Sequence, residues 1–140
     1  MGVLVSRRRF LSQKQHNLTH PIIFCCEIDG FTDGAVSLSN PLARRLIELP
    51  AASRGRRLED CFIGCLENLP DSIVIRDFDA LFNPTYQVDV VALLLSAYRR
   101  HHFDAVWPGT LDGEDLVYAE EGYRDYRRFG IDHYDLTCIY

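Results

Sequence analysis

The chain has 140 residues, 47% hydrophobic and 25% charged, with a formal net charge of −5. This is the composition of one globular domain large enough for a sizeable core, and it excludes disordered, collagenous and low-complexity classes. No apolar run nears the ~20 residues that cross a bilayer, so no transmembrane segment is expected.

The opening Met1-Gly2-Val3-Leu4-Val5-Ser6 fits the N-myristoylation pattern, and Arg7-Arg8-Arg9 would supply a basic second signal. Gly2 is therefore one candidate functional position. After a polar stretch from Ser12 to His20, Pro21–Cys26 reads as a buried strand. Glu27–Gly34 is rich in turn signals, and Ala35–Leu38 reads as a short strand. Ser39 or Asn40 is placed to cap a helix with Pro41 in its first turn, the apolar stripe Leu42, Leu46, Leu49, and Pro50 as its stop. Ala51–Arg57 is a basic loop, and a second amphipathic helix follows from Leu58 to Leu69.

Ser72-Ile73-Val74-Ile75 is apolar without alternation, the pattern of a strand buried on both faces of a parallel sheet. A helix is expected from about Val88 to His101, with Arg99, Arg100 and His101 at its negative end. Phe103–Trp107 is a further strand, cut by Pro108-Gly109. Gly109–Glu121 reads as an acidic surface loop, with a short strand at Leu116–Ala119. Thr137–Tyr140 closes the chain as a last strand. Strands alternating with helices predict a three-layer α/β domain with a mostly parallel sheet.

Four groups of residues carry candidate chemistry. The strand ending in Arg76, Asp77 and Asp79 delivers carboxylates to the edge where open α/β sheets bind ligands, the form of a Walker B segment holding Mg²⁺ on a nucleotide. Arg44, Arg45, Arg54, Arg56 and Arg57 flank one helix and its following loop, a patch suited to an anion, a charged partner or, indirectly, nucleic acid. Residues 1–57 hold nine Lys/Arg against four acids, and residues 58–140 six against sixteen, so the acidic back half argues against a general DNA binder. Trp107-Pro108-Gly109 forms either a sensor-like loop at the ligand edge or a core anchor. His101-His102-x-Asp104 and His133-x-Asp135 assemble a metal site only on paper. The five cysteines lack a C-x-x-C pair, and no signal-peptide apolar region precedes Arg7. Reduced thiols in a cytoplasmic protein are expected, with Cys61 and Cys65 packed in the core.

From Leu42 onward the chain resembles BrxF, the small P-loop protein of type III BREX bacteriophage-exclusion systems. The likeness rests on Ala43–Pro50 with its basic loop, on Ser72–Phe82, and on Ala105-Val106-Trp107-Pro108-Gly109 with Asp112-Gly113, Leu116–Glu120, Gly122 and Tyr126. The resemblance implies a P-loop NTPase-like fold over residues 35–140 of a single domain, with residues 1–34 atypical. It implies ATP and Mg²⁺ as ligands and other defence-system proteins as partners. The chain departs from the family at the phosphate site. It has no G-x-x-x-x-G-K-[ST] loop, and its one lysine, Lys14, sits in Ser12-Gln13-Lys14-Gln15. Aligned without a gap, the family's metal-binding Asp falls on Arg76, Asp77 comes one place late, and Asp79 falls on the second acid. The expectation is a cytoplasmic defence subunit, non-enzymatic or weakly nucleotide-binding, that kept the fold with a degraded nucleotide site and acts through protein partners. The alternatives are an ATP/Mg²⁺ switch using Asp77 or Asp79 with Arg76 on phosphate, and a lipid-anchored surface protein using Gly2.

Overall fold

A computed structural model of the chain describes residues 1–12 and 17–140. Lys14 lies outside the described residues. The elements in chain order are β1 (Val3–Val5), α1 (Arg7–Ser12), β2 (Ile22–Phe24), β3 (Val36–Ser37), α2 (Ser39–Ile47), α3 (Leu58–Leu66) and β4 (Ile73–Arg76). They continue with α4 (Val90–Arg100), β5 (Phe103–Val106), β6 (Thr110–Asp112), β7 (Asp115–Tyr118), β8 (Arg127–Gly130) and β9 (Thr137–Ile139).

Six strands form one sheet in the order β1-β9-β2-β5-β4-β3, and every pairing in it is parallel. Alternation along β2 shows why the sheet needs cover on both sides. Ile23 packs into the larger core with α2, α3 and α4, while Ile22 and Phe24 face a smaller one with Phe10 of α1, Ile28 and Ile139. The large core is built on edge-to-face aromatic pairs, Phe62 with Phe78 and with Phe103. The fold is thus α/β, with three helices on one face and α1 plus the segment after β2 on the other.

The expected elements recur with shifts that have local causes. The helix expected from Val88 begins at Val90, because Gln87 takes a left-handed φ of 52° and Asp89 caps the helix by accepting from the Ala92 amide at 3.0 Å. Neither Ser39 nor Asn40 caps α2; the cap position is Leu38, with no side-chain bond, and Pro41 sits in the first turn, where an amide proton has no helical partner. The α3 helix ends at Leu66, three residues before Leu69.

The larger correction concerns Gly109–Glu121, which is not a surface loop. Strands β6, β7 and β8 form a separate antiparallel sheet inserted between β5 and β9. The Asp112–Asp115 pair closes a two-residue hairpin loop in which Gly113 holds φ +60°, a value that favours glycine. On the outer side Arg128 gathers Asp112 and Asp115, at 2.9 and 3.0 Å, which neutralises charge that otherwise reads as a solvated acidic run. The opening segment also belongs to the main sheet, since β1 pairs with β9 from Val3 to Val5.

Candidate functional site

Because the main strands are all parallel, their carboxyl ends share one edge, the place where α/β sheets hold ligands. Two regions of that edge carry the sequence's candidate residues.

The first lies after β2. Cys25 stays tied to the sheet, its amide donating to the Ile139 carbonyl at 2.8 Å. The chain then runs through turns to β3 without a helix. Thr32, 1% exposed, fastens these turns: its hydroxyl accepts from the Ile28 amide at 2.8 Å and donates to the Ile28 carbonyl at 3.2 Å. Gly30, at φ +85°, donates its amide to Asp33 at 2.8 Å. From the end of β4, Arg76 reaches past β5 to this segment. Its Nη2 donates to Glu27 Oε2 at 2.8 Å and to the Thr32 carbonyl at 3.0 Å. The Arg76 hydrogen bond is the main reason the Glu27 carboxyl lies below its ordinary range, with the Thr32 side chain adding to it. Glu27 is largely solvated, so the pair is worth at most about 1 kcal/mol; its importance is where the two charges sit.

Asp77, the next residue, is exposed and takes a left-handed φ of 60°. That turn ends the strand and drops Phe78 into the core, fully buried. Asp77 is therefore a turn residue beyond the strand end, and Arg76 alone of the pair remains in the sheet.

The second region follows β4 and β5. Asp79 opens a 3₁₀ turn, Asp79–Phe82, and its Oδ2 accepts from the Tyr118 hydroxyl of β7 at 3.0 Å. The Phe82 and Tyr118 rings stack with centroids 3.7 Å apart and planes 7° from parallel. Burial first, and then Asp79, push the Tyr118 phenol well above its usual range. Trp107 is 4% exposed and donates its indole N–H to the Val117 carbonyl at 2.9 Å. It packs edge-on against Phe78, Phe82 and Phe129. Gly109 lies so close to the Val117 carbonyl that a Cβ there would overlap it. Trp107-Pro108-Gly109 thus anchors the hairpin sheet to the core. Beside it a cavity of about 370 Å³ is lined by Asp79, Phe82, Tyr86, Tyr118 and Asp125 among others.

The five arginines have different local contacts. Arg54 donates to the Leu49 carbonyl at 3.1 Å and closes the end of α2, and Arg56 reaches the Ser53 hydroxyl at 3.4 Å. Arg45 lies across Gly64 of α3, where its guanidinium would be 2.5 Å from an added Cβ. Arg57 shares a cleft of about 160 Å³ with Arg45, Glu48 and Asp60, while Arg44 is exposed. The acids of the paper metal site have other partners: Asp104 bonds His20 and the Ile22 amide, at 2.9 and 2.7 Å, while His101 and His102 lie 3.9 and 3.7 Å from Asp71 and His101 bonds the Leu69 carbonyl at 3.2 Å. Among the described residues no three His, Cys, Asp or Glu side chains are placed to share a metal. Gly2 precedes β1 with its Cα against the Ile131 carbonyl.

Glu27 and Tyr118 are the partners that sequence reasoning did not assign. Glu27 and Arg76 are 49 residues apart, and Asp79 and Tyr118 are 39 apart. Only strand order brings either pair together. Comparison of the chain with protein-family models, with curated proteins and with solved structures yields no match. Among the described residues no helix is long and apolar enough to cross a membrane.

Proposed function

We propose that this chain is a non-catalytic, cytoplasmic subunit of a bacteriophage-defence assembly of the BREX kind, built on a P-loop NTPase-like fold and acting through protein partners. The observation that carries this reading is the Arg76–Glu27 ion pair with its Thr32 carbonyl contact. In a phosphate site of this class, glycine amides and a lysine face the nucleotide, and an acid at the end of a neighbouring strand helps hold Mg²⁺. Here the segment after β2 offers a carboxylate instead, and β4 ends in the cation that neutralises it. The polarity is reversed and satisfied internally, so a triphosphate entering this edge meets Glu27 and competes with it for Arg76.

Three further features support the reading. The segment between β2 and β3 forms turns and leaves no helix N-terminus at the end of β2 to receive a phosphate. The parallel sheet with helices between its strands is the architecture the resemblance implies. The stretches that carry the resemblance, Ala43–Pro50, Ser72–Phe82 and Ala105–Gly109 onward, build α2, the β4 end and the Trp107 anchor, which are parts of the fold rather than of the phosphate loop.

The test is affinity capture of the tagged chain from cells that also express the defence proteins encoded beside it. The expected result is stoichiometric recovery of at least one of them, unchanged by removal of ATP. Recovery of the chain alone would contradict the reading.

A further inference from the structure

We propose that the cavity between the Asp79–Phe82 turn and β7 is a docking pocket for a cationic side chain, arginine or lysine, presented by a basic segment of a protein partner. This deepens the proposal that the chain acts through partners and rests on it. The cavity measures about 370 Å³, within the range of side-chain and small-ligand pockets. Its walls are aromatic and acidic: Tyr86 and Tyr118 are half-buried beside it, Phe82 stacks behind Tyr118, and Asp79 and Asp125 face in. None of the described residues lining it is a cation. Elsewhere on this molecule Arg76 holds Glu27, and Arg128 holds Asp112 and Asp115. Asp79 has only the Tyr118 hydroxyl, a neutral donor, and Asp125 has no ion pair or hydrogen bond among the described residues.

Charge complementarity therefore fixes the occupant. Two carboxylates beside aromatic faces attract a guanidinium or ammonium group by charge and by the ring quadrupole together, whereas an anion or an apolar side chain would leave the carboxylates unneutralised. A neighbouring groove of about 460 Å³ shares Asn83, Pro84 and Asp125 with the cavity and is lined on its far side by Tyr123 and Arg124. Tyr123 is 66% exposed, an aromatic surface for the chain on either side of the inserted side chain. The occupant is thus a segment with a central Lys or Arg, long enough to run from the cavity to Tyr123.

The test uses the full chain, labelled in its tyrosine and phenylalanine rings, titrated with the blocked pentapeptides Gly-Gly-Arg-Gly-Gly and Gly-Gly-Lys-Gly-Gly up to about 10 mM, the weak range expected of a single side chain. The expected result is saturable shifts of the Tyr86 and Tyr118 signals, and none with the blocked glutamate peptide Gly-Gly-Glu-Gly-Gly as control. The Asp79→Asn/Asp125→Asn variant should bind about tenfold more weakly, consistent with loss of two charge contacts at a partly desolvated site. The single Asp125→Asn variant removes no hydrogen bond among the described residues, and it should weaken binding while leaving the thermal melt unchanged. No shift with either cationic peptide, or equal shifts with the glutamate peptide, would overturn the proposal. Self-association that blocks the peptide and is lost in the double variant would also overturn it, by making a second copy the occupant. A parallel titration of the uniformly ¹⁵N-labelled chain with Mg²⁺-ATP separates this inference from the one it rests on: shifts of backbone amides confined to the neighbourhood of Glu27, Thr32 and Arg76 would count against the non-nucleotide reading and leave the pocket result standing.

Discussion

The segment after β2 and the cavity beside Trp107 lie at the same edge of one parallel sheet, and they treat charge in opposite ways. At the first, Arg76 meets Glu27 and the Thr32 carbonyl, so each charge has its counterpart within the fold. At the second, Asp79 and Asp125 border aromatic faces with no cation among the described lining residues. A site closed on itself has little left to offer a ligand, and a site left one-signed has a vacancy of charge that a partner can fill. Function at this edge is accordingly read from the second region, while the first explains why nucleotide chemistry is absent from the proposal.

The comparison breaks most visibly where the second region is tied to the core. Trp107→Ala removes the indole packed on Phe78, Phe82 and Phe129 together with the Val117 hydrogen bond. It should cost about 3–5 kcal/mol in denaturant unfolding, the range for large aromatic truncations in cores. Gly109→Ala drives a Cβ into the Val117 carbonyl and toward the Trp107 indole nitrogen, 2.9 Å away. A loss of about 1–3 kcal/mol is expected, seen in the same unfolding curves, as the hairpin shifts to relieve the overlap.

Smaller effects sharpen the contrast. Tyr118→Phe keeps the stack on Phe82 but leaves Asp79 without its hydroxyl donor, for a loss of about 1 kcal/mol. Because the carboxylate is exposed to the cavity, cationic-peptide affinity should persist in this variant. At the first region, a double-mutant cycle of Arg76→Ala and Glu27→Ala should give a coupling of no more than about 1 kcal/mol, since Glu27 is solvated. The pH dependence has a definite sign. The Glu27 carboxyl is held below its ordinary value of 4.5, so its contribution is fully present above about pH 4.5 and is lost as pH falls through the lowered folded-state value. The difference in stability between the natural chain and Glu27→Gln should therefore be largest at neutral pH and vanish in strong acid.

Much of the architecture was legible because it follows from local pattern. Ser72–Ile75 reads as a strand, and Ile73–Arg76 is one, with Ile75 buried and Ile73 and Val74 half-buried; the stripe Leu42, Leu46 marks α2, and both residues are buried. The opening strand was not, because Val3-Leu4-Val5 is only three residues long and gains its place by pairing with β9 at the far end of the chain. The antiparallel sheet of β6, β7 and β8 was hidden for a different reason. Its acids suggest solvent, and their neutralisation by Arg128 is a cross-strand event that spacing alone does not reveal. Arg76 and Asp79 could be singled out from sequence as edge residues. Their partners Glu27 and Tyr118 could not, since each lies at least 39 residues away and on another element. Of the basic group, Arg54 and Arg45 also serve the ends and contacts of α2 and α3, roles that charge counting cannot separate from an anion site.

The central claim is that the Arg76–Glu27 pair occupies the place of phosphate and metal. The most direct test is a thermal melt of the natural chain with and without millimolar Mg²⁺-ATP, beside the Asp77→Ala/Asp79→Ala variant. A ligand present at one hundred times its Kd would stabilise the fold by about 2.7 kcal/mol. The account predicts no shift in either protein, both remaining folded. A clear shift in the natural chain that disappears in the variant would contradict it and make the carboxylates after β4 the metal ligands of a working nucleotide switch.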